Sequence, residues 1–171
     1  MTFQNLGPNE TIHRNGLVFV KLTQHKWAIV DGVDYDKIKM YRWGACRDGK
    51  VFYARAGIKN NDGGYTNKSM HRLLMNARGL QIDHRNGNGL DNRKCNIRKA
   101  TDNQNKRNRT KQNNNTSGFK GVSFCKRRKK WVANIKVNNR NISLGRFITP
   151  EAAALAYKAA TIKYHKDFAR F

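Results

Sequence analysis

The stretch FKGVSFCKRRKKWVANIKVNNRNISLGRFITPEAAALAYKAA, residues 119–160, changes its period partway along. In KWVANIKV, strict alternation sets Trp131, Ala133, Ile135 and Val137 on one face and Lys130, Val132, Asn134 and Lys136 on the other, the pattern of a half-buried strand. FKGVSFCKRR and RNISLGRF read as its flanking strands, and Asn138, Asn139 and Arg140 have the chemistry of a tight turn. The next segment, TPEAAALAYKAATIKYHKDF, reads as a helix with Thr149 as N-cap and Pro150 at the first helical position. Its alanines let it approach a sheet closely, with Leu155, Tyr157, Ile162 and Tyr164 adding bulk. The expected module is a three-stranded antiparallel sheet packed on one helix, with the other sheet face free.

Such a face can enter a major groove, where base edges are distinguishable, while Lys and Arg set its register on phosphates. Lys130, Asn134 and Lys136 stand on that face, Arg127 and Arg128 lie in the basic run KRRKK beside the first hairpin, and Arg140 follows the second turn. The plain alternative for the run is a solvated basic turn. Charge supports a polyanionic partner: of 171 residues, 35 are Lys or Arg and 11 are Asp or Glu, a net +24, with a pI near 10.6. The excess divides evenly, +12 on residues 1–109 and +12 on the shorter 110–171. Nucleic acid is the partner this composition favours.

Other classes are disfavoured. A membrane-surface protein needs a helix with a bulky apolar face, and the long helix here is rich in alanine. No run approaches eighteen apolar residues and the N-terminus has no apolar signal core, so a cytoplasmic, unexported protein with no membrane association is expected. Cys46, Cys95 and Cys125 are scattered, with no C-x-x-C pair. They suit reduced thiols, so no structural zinc is expected and any metal must be held by oxygen and nitrogen. Nothing points to an obligate protein partner.

Working back towards the N-terminus, residues 103–117, NQNKRNRTKQNNNTS, contain nothing apolar and read as a solvated linker after an initial helical turn or two, with a domain boundary near Thr110. This gives a first domain over 1–109, a linker over 110–117 and the sheet-plus-helix module over 118–171. In the first domain GLVFVKL, KWAIVD, YRWGACR and VFYARAGI read as short strands separated by Asp-Gly turns, and SMHRLLMNA as a short helix. Asp31, Asp34 and Asp36 read as charge at a helix start.

Between that helix and the linker lies QIDHRNGNGLDNRKCNIRKATDNQN, residues 81–105, dense in asparagine. Phosphodiester hydrolysis needs a base for water, a cation to offset phosphate charge, and groups that hold both in line. A histidine with an ordinary pKa of about 6.5 can be the base. A carboxylate and an amide carbonyl suit a hard divalent cation. Asp83, His84, Asn96 and Asn105 offer that set. RNGNG lets the chain reverse, and TDNQ is a capping box that starts a helix carrying Asn105, so a hairpin folded onto a helix would bring them together. Neighbours on a regular strand face opposite ways, so Asp83 and His84 can share a site only where the strand ends or twists. The plain alternative is an asparagine-rich loop in which His84 caps a turn.

The pattern IDHRNGNGLDN, with Asn96 twelve residues after the histidine and Asn105 nine further, preceded by MHRLL, resembles the HNH nuclease motif of phage and intron-encoded homing endonucleases. The resemblance, over residues 26–109, implies a ββα-metal fold with His84 as general base, Asn96 as the central hydrogen-bonding asparagine, and Asp83 with Asn105 as ligands of one divalent ion, Mg²⁺ first and Mn²⁺ second. His71 also matches the pattern, but on an apolar helix it reads as a packed residue; Arg72 beside it could clamp a phosphate. From Ser117 to the end the chain resembles the Apetala and ethylene-response-factor type of DNA-binding domain, whose outward sheet residues contact bases. Lys120, Lys130, Lys136 and, loosely, Asn134 fall on such positions, whereas Ser123 and Ser143 stand where the plant domains carry Arg and Trp.

The expected protein is therefore α+β: a small β-rich domain with an HNH motif, a linker, and a sheet-plus-helix module. The expected activity is site-specific cleavage of double-stranded DNA in a homing or mobile-element setting, inside a bacterial or phage-infected cell. A non-catalytic DNA-binding regulator is the alternative.

Overall fold

The computed structural model describes residues 9–60, 62–77, 79–108, 111 and 114–171. It is a mixed α+β chain of several small antiparallel sheets, in two compact units, Met1–Ala100 and Thr101–Phe171. Thr110, where the sequence suggests a boundary, lies outside the described residues.

The first unit opens with a three-stranded sheet, β1 (Thr11–Arg14), β2 (Leu17–Lys21) and β3 (Trp27–Asp31). Alternation in β2 and β3 buries Val18, Val20, Ala28 and Val30 at 0–1 % exposure. A 3₁₀ turn, Gly32–Lys37, follows. Asp34 lies in the first turn, as helix-start charge does, and is also buried and paired with Lys37 at 2.6 Å and Lys94 at 3.2 Å. A second sheet is formed by β4 (Gly44–Asp48), β5 (Val51–Lys59) and β6 (Tyr65–Ser69). β4 begins later than YRWGACR suggests, because Trp43 is a core residue: its Nε1 donates to the Ile38 carbonyl at 2.9 Å and its backbone N–H to Asn9 Oδ1 at 2.8 Å.

Helix α1 (Met70–Leu74) buries Met70, His71 and Leu74, and the hairpin β7 (Gln81–His84) with β8 (Ile97–Ala100) adds Ile82 and Ile97 to the same core. The strands β1 and β6 are absent from the expectation because TIHR and YTNKS are polar and almost wholly exposed, so neither carries an alternating signal.

The second unit begins with α2 (Asp102–Arg107), closed by the expected capping box: Gln104 N–H donates to Thr101 Oγ1 at 3.3 Å and Thr101 N–H to Gln104 Oε1 at 2.9 Å. Then come β9 (Val122–Cys125), β10 (Lys130–Val137), β11 (Arg140–Phe147) and α3 (Pro150–His165), a sheet in the order β11-β10-β9 packed on one helix. Thr149 caps α3 by accepting from Ala152 N–H at 3.2 Å. The buried stripe of α3 is Ala153, Tyr157, Ala160, Thr161 and His165, one helical face. Leu155, Ile162 and Tyr164 fall off that stripe and face outward, so Tyr157 is the bulky α3 residue in this core. Gly121, at φ +73°, leaves the room Tyr157 fills: a Cβ there would sit 2.1 Å from the ring. Among the described residues no helix is long and apolar enough to cross a membrane.

Candidate functional site

The asparagines of the 81–105 stretch build a loop before they do anything else. Between β7 and β8 the chain turns at Gly87, φ +75°. Asn96 Oδ1 accepts from Asn86 N–H at 3.0 Å while its Nδ2 donates to the Asp91 carbonyl at 2.8 Å, so one side chain ties both limbs of the loop. Asn86 Nδ2 donates to Asp91 Oδ2 at 2.9 Å, and Arg93 grips the same carboxylate with Nε and Nη2 at 2.8 and 2.7 Å. These contacts hold the Asp91 carboxyl below its ordinary range, Arg93 first among the causes. Backbone bonds from Ile29 N–H to Leu90 O and from Asn92 N–H to Ile29 O then pin the loop to β3. Gly89 is required where the loop crosses β5, since a Cβ would meet the Phe52 carbonyl and the Tyr53 ring at 2.5 Å.

This frame presents His84 at the last position of β7, 6 % exposed. Its Nε2 lies 3.4 Å from Asn92 Oδ1, a long contact. The ring meets His71 edge-on, centroids 5.0 Å apart, and Tyr53 stands 5.6 Å from His71 and 5.8 Å from His84. Burial lowers the His84 pKa, against the opposing pull of Asn92, Asp83 and Asp91, so the imidazole is neutral at physiological pH. His71 is depressed further, to about 3, by burial and then by His84 and two arginines. Its Nδ1 is buried without a hydrogen-bond partner among the described residues.

Asp83, the residue before, has a different principal partner. Its Oδ2 accepts from Arg98 Nε at 2.7 Å and Nη2 at 2.6 Å across the β7–β8 pair, with both side chains under a tenth exposed. Nothing in one dimension marks this pairing, since Arg98 is one of many basic residues until the register places it opposite Asp83. Asn105 sits half-buried on α2, in the second unit. Arg72 is exposed and donates to the carbonyls of Ala77 and Leu80, both at 3.4 Å, closing the end of α1. Among the described residues no three His, Cys, Asp or Glu side chains cluster as a metal group.

The second unit offers an open sheet face. The alternation in β10 holds: Ala133 and Ile135 are buried against α3, and Lys130, Asn134 and Lys136 are exposed. Register extends that face to Ser123 and Arg146, which flank Val132, and to Ser143 and Asn141, opposite Asn134 and Lys136. Arg146 was hidden in the sequence by a bulge: Ala133 pairs with Gly145 but Asn134 with Ser143, so Leu144 is inserted and the alternation of RNISLGRF changes phase. Arg127 and Arg128 are exposed in a 3₁₀ turn after β9, and Arg140 is exposed at the start of β11. Lys120 is half-buried instead of outward, its Nζ donating to the Arg107 carbonyl at 2.6 Å.

Residues 117–166, which hold this sheet and nearly all of α3, match the AP2 domain, a DNA-binding module. The chain is also 32 % identical over 94 residues to protein 3.8 of Escherichia phage T7, an overlap of 55 % of this chain and 77 % of that protein. No solved structure matches it. With three-quarters of that phage protein covered, the chain belongs to the family of protein 3.8, and it carries an AP2 DNA-binding domain at residues 117–166.

Proposed function

We propose that this DNA-binding protein is an HNH-type endonuclease, which binds duplex DNA through the AP2 domain and hydrolyses a phosphodiester with His84 as general base. The carrying observation is the buried, neutral imidazole of His84 at a strand end, next to the Asp83 carboxylate, on a loop that Asn96 ties at both limbs. A base must be unprotonated at working pH, and burial keeps it so. Asn92 helps to orient the ring that would take the proton from a water. Asn96 keeps the loop closed and so fixes where that ring points.

The donors suit a hard divalent cation, since Asp83 offers carboxylate oxygen and Asn105, which the sequence pattern pairs with it, an amide carbonyl. A bound cation would supply Lewis acidity at the phosphate and the leaving oxygen. Arg98 is a competitor for it, because both guanidinium contacts fall on Asp83 Oδ2. Incubating supercoiled plasmid with the protein and Mg²⁺ tests the proposal. The wild type should convert it to nicked or linear forms, EDTA should stop this, and His84→Ala and Asn105→Ala should bind DNA without cutting.

A second reading, a non-catalytic DNA-binding regulator, is favoured by the AP2 match, which speaks for binding alone, and by the buried Asp83–Arg98 pair, which gives Asp83 a structural task. It predicts retention of duplex DNA with no cleavage in Mg²⁺ or Mn²⁺. Under either reading affinity falls steeply with salt, because Lys and Arg displace counterions from many phosphates.

A further inference from the structure

The second unit has a cavity of about 260 Å³ between α2, the β10–β11 turn and α3, bordered by Lys136 of the open sheet face. Lys106, Arg107, Lys120, Lys136, Tyr157 and His165 line it. Four of the six are permanent or near-permanent cations, and no carboxylate is among the described residues of its wall. Asn138 and Asn139, both in the left-handed region at φ +48° and +64°, bring side-chain amides to the same rim.

Lys120 and Arg107 are held by hydrogen bonds, while Lys106 and Lys136 are exposed. Lys120 Nζ donates to the Arg107 carbonyl at 2.6 Å, Arg107 Nη2 reaches Asn138 Oδ1 at 3.5 Å, and His165 Nε2 lies 3.1 Å from the Lys136 carbonyl. His165 is 6 % exposed and its Nδ1 has no hydrogen-bond partner among the described residues. Burial first and Arg170 second pull the Lys120 pKa down to about 8. Burial lowers His165 as well, with Arg107 and Lys120 contributing.

We propose that this cavity binds a phosphate group, using Lys106, Arg107, Lys120 and Lys136 as counter-charges. A tetrahedral dianion or a phosphodiester offers several acceptor oxygens, which matches lysine ammoniums, a guanidinium and amide donors converging from three elements. The proposal rests on the DNA-binding reading only for the source of the phosphate, which is either the duplex backbone, contacted at the margin of the sheet face, or a free mononucleotide.

The test uses the full chain and two arms: anisotropy of a labelled duplex across a salt series, and calorimetric titration with inorganic phosphate and AMP. Lys106→Gln/Arg107→Gln and, separately, Lys120→Gln are compared with wild type and with Arg146→Gln on the open face. If the source is the backbone, the cavity variants weaken every duplex by the same factor and flatten the slope of log affinity against log salt by about 0.9 for each phosphate lost. If it is a free nucleotide, they abolish phosphate and AMP binding and leave the duplex slope alone. Cavity variants that match wild type in both arms overturn the proposal. A wild type that binds no duplex but binds phosphate would sink the DNA reading and leave the cavity standing. Lys106 is exposed, so the first variant should fold; an unchanged Trp131 emission spectrum in a Trp27→Phe/Trp43→Phe background confirms it.

Discussion

Replacing Arg98 by Gln removes the guanidinium that meets Asp83 Oδ2 at 2.6 and 2.7 Å, in a pair whose side chains are 9 % and 4 % exposed. The carboxylate is then left deep in the first unit without that counter-charge. Breaking one side of a buried pair costs about 3–5 kcal/mol, because the remaining ion keeps its desolvation penalty. With a urea slope of about 2 kcal/mol/M, the unfolding midpoint of the first unit should drop by roughly 1.5–2.5 M.

Two units need not unfold together, so the measurement belongs in a Trp131→Phe background, where the remaining tryptophans, Trp27 and Trp43, report the first unit alone. The double change Asp83→Asn/Arg98→Gln should recover a good part of the loss, since neither charge is then buried. A midpoint loss equivalent to less than about 0.5 kcal/mol for Arg98→Gln would refute the claim that this pair organises the hairpin. So would simple additivity in the cycle. The same variant bears on chemistry: if Asp83 is a cation ligand, removing the competitor lowers the Mg²⁺ concentration needed for cleavage by whatever enzyme still folds.

Other expectations follow from the same contacts. His71 is held neutral with its pKa depressed from 6.5 to about 3, whereas the unfolded chain takes up its proton first as pH falls; stability of the first unit should therefore decline between pH 6.5 and 3, by on the order of 4 kcal/mol, and His71→Phe should remove that slope in denaturation series. The proposed cleavage should be level near neutrality and fall in acid as His84 protonates, a titration that lies below the ordinary histidine range and is read from initial rates against pH. Gly121→Ala places a Cβ 2.1 Å from the Tyr157 ring at a φ of +73°, so it should destabilise the AP2 domain by about 1–3 kcal/mol or more and weaken DNA binding while the thermal transition of the first unit stays put. Arg146→Ala on the open face should cost about 1–3 kcal/mol towards a preferred duplex and flatten discrimination between sequences, measured by competition binding.

Much of the C-terminal unit was legible in one dimension because its signals are local. Alternation in KWVANIKV, the Asn138–Asn139 turn, and Thr149 with Pro150 before an alanine-rich segment each act within a few residues, and each reappears in the fold. The capping box at Thr101 and Gln104 was readable for the same reason. The strands β1 and β6 were not, since their polar sequences become strands only by pairing with β2 and β5. The outward turn of Leu155 and Ile162 was missed because apolar character alone does not say which side of a helix faces the sheet.

Composition set a basic, nucleic-acid-directed chain, and the polar stretch singled out Asp83, His84, Asn96 and Asn105. Three-dimensional packing decided what those residues touch: Arg98 for Asp83, His71 and Tyr53 for His84, and both limbs of its own loop for Asn96. It also decided that Arg146 joins the open face and Lys120 turns inward. The reason is that charge and periodicity are additive along a chain, whereas ion pairs, ring contacts and bulges depend on register between segments far apart in sequence, which folding sets only when the strands meet.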